Sequence, residues 1–95
     1  MSLEWRHHLP WFQLEMAKKL GLPKNEAKGS YMAEKPEDLF LSFVTEAKEL
    51  SEALSADQPS SPNGPAIISE CADVANFAMM IAATYKEDAE DEETP

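Results

Sequence analysis

Four carboxylates stand out by their spacing. Glu46 and Glu49 in "TEAKELSEAL", and Glu70 and Asp73 in "SECADVANFA", form two acidic pairs, each with two residues between its members. At about 100° per residue on a helix, Leu39 and Ala53 lie within about 20° of Glu46, Leu50 near 40° and Phe43 near 60°, with Glu49 about 60° the other way. On a second helix Phe77 and Ile81 flank Glu70 by about 20° on either side, Val74 lies near 40° and Ile67 near 60°, while Asp73 is about 60° away. Each pair therefore starts from the apolar face of its helix. A carboxylate there must be neutralised, paired or coordinated. Pairing is difficult, because Lys48 and Lys86 project from other faces and no arginine follows Arg6. If the two helices pack together, like charges about 5 Å apart at an effective dielectric near 20 repel by about 3 kcal/mol per pair. Such a cluster calls for a cation, and oxygen-only ligands favour a hard one: Mg²⁺, with Mn²⁺ as a substitute. In a chain with 18 acids such pairs also arise by chance; placement on the apolar faces separates these four from Glu34, Glu52 and Glu87.

The periodicity predicts an all-α protein with three helices and no strand. The first carries Trp5, Leu9, Phe12, Met16 and Leu20 on one stripe, with Pro10 as a first-turn residue or a kink. It stops at "GLP", where Gly21 suits a C′ position and Pro23 blocks continuation. Residues 21–35 read as an ordered loop. The second helix starts at Pro36, with Glu37 and Asp38 at the positive end of its dipole, and runs to about Ala56. "SADQPSSPNGPA" is a connection rich in breakers. The third helix, Ala66 to about Lys86, is apolar nearly all round and belongs at the centre of a bundle. Two amphipathic helices cannot easily cover it, so the expectation is a four-helix-like core completed by a homodimer or homotetramer. Residues 1–88 form one domain, and 89–95 an acidic, disordered tail.

At 95 residues the chain buries a smaller share of its surface than larger domains do. Eighteen acidic against eight basic side chains give a net charge of −10, which disfavours nucleic-acid and anionic-membrane partners. A nucleotide remains an acceptable substrate, since divalent cations reverse the local sign. The single cysteine, Cys71, cannot close an internal disulfide, and no apolar run reads as a signal or membrane span; the expected location is the cytoplasm. Cys71 reads as a small core residue, and His7 and His8 as surface groups.

"EAKEL" followed by "ECADVANFAMMIA", with the lead "PEDLFLSFVTEAKELSEAL", resembles the E-x-x-E and E-x-x-D motifs of the MazG-like, all-α nucleoside triphosphate pyrophosphohydrolases over roughly residues 28 to 85. The resemblance implies that Glu46, Glu49, Glu70 and Asp73 are Mg²⁺ ligands and catalytic residues. The reaction it implies is attack of water on a nucleoside triphosphate, releasing the monophosphate and pyrophosphate, with Glu49 a suitable proton acceptor. It also suggests substrate contacts from Tyr31 in the loop, from Lys28 or Lys24 to phosphate, and from Phe77 near the nucleotide. Asn76 is suited either to a ligand or to a neighbouring helix. Two features depart from the family pattern: Thr45 stands where many relatives have a further acid, and the chain ends soon after Tyr85, where many continue into a fourth helix.

The leading expectation is a Mg²⁺-dependent pyrophosphohydrolase that clears a noncanonical or surplus nucleotide. A phosphoribosyl-ATP pyrophosphohydrolase shares the architecture and the metal chemistry. A catalytically silent acidic helical dimer that binds a basic partner is the alternative outside enzymology.

Overall fold

The computed structural model describes residues 2–93, and their side chains as far as Lys86. Its elements are α1 (Trp5–Leu20), the short α2 (Pro23–Glu26), a 3₁₀ turn (Tyr31–Ala33), α3 (Pro36–Ala56) and α4 (Gly64–Glu93). The described residues form no strand, only an isolated bridge between Gln58 and Ser61. Four helices thus stand where three were expected.

Prolines divide the chain. Leu22 and Lys35 each precede a proline and are extended, as the clash with the proline ring requires, and Pro23 and Pro36 each open a helix. α1 ends where expected, before Gly21, but the glycine's part in the stop differs. Gly21 stays right-handed, at φ −80° and ψ −1°, so the helix is stopped by extended Leu22 and not by a left-handed glycine. Pro10 lies inside α1. The expected loop over 21–35 contains α2 and the 3₁₀ turn, where Ser30 Oγ accepts from the Met32 N–H at 3.2 Å.

The connection from α3 to α4 is organised by Asn63. Its side chain donates to the Ala53 carbonyl at 2.9 Å, satisfying an orphan acceptor in the last turns of α3. Its own N–H donates to Asp57 Oδ1 at 2.7 Å, and its carbonyl accepts the Ile67 N–H at 3.0 Å. α4 starts at Gly64, slightly before the expected Ala66, and its backbone runs to Glu93, past the expected end near Lys86. The side chains of the acidic tail, and residues 94–95 altogether, lie outside the described residues.

α4 is the central element: α3 and the 3₁₀ turn pack on it, and so does α1. Its segment Gly64–Lys86, with mean hydropathy 1.5, is long and apolar enough to cross a membrane, which corrects the expectation that no run reaches that length. The core helix of a bundle has the same profile, and Glu70, Asp73 and Asn76 in its middle would be costly in lipid.

Burial is sparse. Among the described residues only Leu39, Ala72 and Asn76 are buried, while Trp5, Leu9, Trp11 and Leu14 on α1 are exposed, so only the Phe12–Met16–Leu20 part of the expected stripe is half-covered. The accessible surface is 7172 Å², against about 5,500 Å² for a compact monomer of this mass.

Candidate metal centre

α3 presents Glu46 and Glu49 to α4, which presents Glu70 and Asp73. One carboxylate oxygen from each of Glu46, Glu49 and Glu70 lies within 4.8 Å of the other two. Glu46 and Glu70 are half-buried and Glu49 is exposed, so the triad opens to solvent on the Glu49 side. Glu46 Oε2 and Glu70 Oε2 are buried without a hydrogen-bond partner. Three close carboxylates resist simultaneous ionisation. Burial, the hydrogen bond with Glu49 and the charges of Asp73, Glu49 and Glu70 raise the Glu46 carboxyl from its ordinary 4.5 to about 7. Burial, followed by the charges of Glu49 and Asp73, also raises Glu70.

Asp73 stands apart from the triad because it has a partner that reading along single helices did not find. Lys19, near the end of α1, places its ammonium 3.2 Å from Asp73 Oδ2 and donates to Ser69 Oγ at 3.0 Å. The expectation that a basic partner was out of reach is thus corrected for this one acid. The signal in the sequence was the Lys18–Lys19 pair in the last turn of α1, a favourable place for cations beside the helix dipole. Which of the two meets α4 depends on how α1 is rotated against it.

Of the two uses considered for Asn76, the bond to a neighbouring helix is the one seen. Its Nδ2 donates to the Met16 carbonyl at 3.1 Å and so ties α1 to α4. That carbonyl can only accept, which fixes the amide orientation and leaves the buried Oδ1 unpartnered. Asn76 lines a cleft of about 100 Å³ together with Glu46, Asp73 and Phe77; Lys24, Asn25 and Lys28 of the α2 segment complete the lining. The Asn25 side chain donates to the Lys19 carbonyl at 2.5 Å, which fastens α2 to the end of α1 and holds both lysines beside the acids.

Of the residues singled out for substrate, Lys28, Asn76 and Phe77 therefore meet at one cleft. Tyr31 stands outside that lining, half-buried at the start of a 3₁₀ turn packed on α4. His7 and His8 are exposed, and Cys71 is a half-buried free thiol.

The candidate donors of the triad are all carboxylate oxygens, the type a hard divalent ion takes, and Glu46 and Glu70 each also carry a buried oxygen without a hydrogen-bond partner. Cations and anions lining one cleft also suit a ligand that carries phosphates together with a metal ion. In comparisons with family models, with curated proteins and with solved structures, nothing matches this chain.

Proposed function

We propose that this protein is a Mg²⁺-dependent nucleotide pyrophosphohydrolase, working as a homodimer, that splits a (deoxy)nucleoside triphosphate into monophosphate and pyrophosphate. The observation that carries this reading is the convergence of Glu46, Glu49 and Glu70, two of them with orphaned buried oxygens, next to a cleft that also holds Lys24 and Lys28. The likeness of the two acidic motifs to those of the MazG-like enzymes adds to it.

Glu46, Glu49 and Glu70 would hold the ion, and Asp73 is in reach of the same cleft. Bound there, a divalent ion supplies positive charge to the phosphoryl oxygens. Lys24 and Lys28 neutralise phosphate in the same cleft, and Phe77 offers an aromatic surface to a base. Glu49, the solvent-facing member of the triad, accepts the proton of the attacking water. The P–O bond to the pyrophosphate leaving group breaks as the water oxygen bonds to phosphorus.

The second copy is argued from the other side of the α3–α4 pair. Phe40, Val44 and Leu54 share an arc of α3 within about 40° of Phe40, and each is about half exposed. With Pro36, Leu41, Ile81 and Tyr85, Phe40 borders an apolar groove of about 490 Å³, in which Glu37 is the one charged lining residue. A two-fold pairing of these faces would complete a four-helix core.

The test is a panel of canonical and modified nucleoside triphosphates, with phosphoribosyl-ATP included, incubated with Mg²⁺ and assayed for pyrophosphate. Release from a nucleoside triphosphate supports the proposal. Release from phosphoribosyl-ATP alone moves it to that related chemistry. No release from any of them by folded protein leaves the silent acidic dimer as the better description.

A further inference from the structure

We propose that Lys19 is a resident counter-cation that competes with the metal ion for Asp73. The inference rests on the metal reading above and concerns the order in which the acids become available. Three carboxylates, Glu46, Glu49 and Glu70, already have oxygens within 4.8 Å of one another. The fourth, Asp73, is held instead by the Lys19 ammonium at 3.2 Å, and Ser69 Oγ anchors that ammonium at 3.0 Å. Both partners of the pair are only about one-fifth exposed, at 20% each, so water screens it less than a surface pair.

A second observation marks the cleft as built for a ligand. Asn76 is 3% exposed and lines the same cleft as Asp73, and its Oδ1 has no hydrogen-bond partner. Lys19 cannot leave easily, because Asn25 and Asn76 fasten the end of α1 to α2 and α4. An ion entering the triad meets three carboxylates already brought together. To gain the fourth it must displace an ammonium fixed by neighbouring helices. Lys19 therefore sets a threshold of metal concentration, below which Asp73 stays outside the coordination sphere.

The experiment is calorimetric titration of the full chain with Mn²⁺ alone, comparing wild type with Lys19→Met, Lys19→Arg, Asp73→Asn and the Lys19→Met/Asp73→Asn pair. The expected result is Mn²⁺ affinity at least tenfold tighter in Lys19→Met, near wild type in Lys19→Arg, and unaffected by the lysine change once Asp73 is Asn. Unchanged or weaker binding by Lys19→Met overturns the proposal while leaving the metal site standing. Equal tightening in both backgrounds also overturns it, since that is the mark of a distant charge and not of competition for one carboxylate. Absence of Mn²⁺ binding in every variant, wild type included, removes the metal reading itself and this inference with it. If Lys19→Met loses its helical circular dichroism, Lys19→Gln, which keeps a neutral polar donor, replaces it in the same titrations.

Discussion

The two sides of α3 reverse the usual distribution of side chains. Toward α4 and the cleft the helix sets Glu46 among half-buried groups beside fully buried Leu39, whereas on its other side Phe40, Leu41, Val44 and Leu54 are open to solvent. Hydrophobic burial alone would favour the opposite arrangement. The contrast shows that both sides are incomplete in a single chain. On the acidic side Glu46 Oε2 and Glu70 Oε2 are buried without a hydrogen-bond partner, and the oily side lacks a covering surface. On the proposed function, an ion would answer the first need and a second subunit the second.

Substitutions that separate the two sides test this view. The largest effect is expected on the acidic side: Glu70→Gln should lower turnover at least on the order of 100-fold, read by pyrophosphate release. The same change removes like-charge repulsion, so melting of the metal-free protein should hold steady or rise. A fall of many degrees would show that Glu70 is a structural group.

Next in size is Leu39→Ala, at the one large side chain among the described residues with no exposure. It should cost about 3 kcal/mol, measured by urea unfolding at fixed protein concentration. A much smaller loss would show that the α3–α4 contact is looser than the geometry indicates. On the oily side, Phe40→Asp places two new charges across a symmetric pair of faces and should shift the mass in analytical ultracentrifugation toward monomer, at a cost of about 2 kcal/mol or more. Mn²⁺ binding by that variant should persist; its loss would mean that the two sides are not independent.

The smallest effect is on pH. Glu46 prefers its proton in the folded protein, with its carboxyl raised from 4.5 to about 7. Its contribution to stability is therefore fully present below pH 4.5 and lost as the pH rises through about 7, the reverse of a salt-bridged carboxylate. After discounting for solvent screening of the part-exposed cluster, the loss is on the order of 1 kcal/mol, a few degrees in the melting temperature of the metal-free protein. Glu46→Gln should flatten that slope, and an unchanged slope would assign it to other groups.

Much of this was legible in the chain. Turning α3 and α4 at the helical period placed Glu46 and Glu70 on inward faces without any knowledge of packing, and Pro36 with Glu37 and Asp38 marked the start of α3. What stayed hidden depends on relations between elements. Lys19 reaches Asp73 across 54 positions of sequence only because α1 settles on α4 at a particular rotation. The α2 helix was hidden for a local reason: Pro23 read as the terminator of one helix, although a proline at N1 equally opens the next. The exposure of Trp5 and Leu9 was out of reach as well, since an apolar stripe states which side wants cover and not whether a neighbour is long enough to give it.

The amide of Asn76 has one more implication. With its nitrogen tied to the Met16 carbonyl, the side chain cannot rotate end for end without losing that bond, so its unpartnered Oδ1 is fixed as a hydrogen-bond acceptor. Whatever settles against it must bring its own proton or positive charge, which selects among occupants before any base or sugar is weighed.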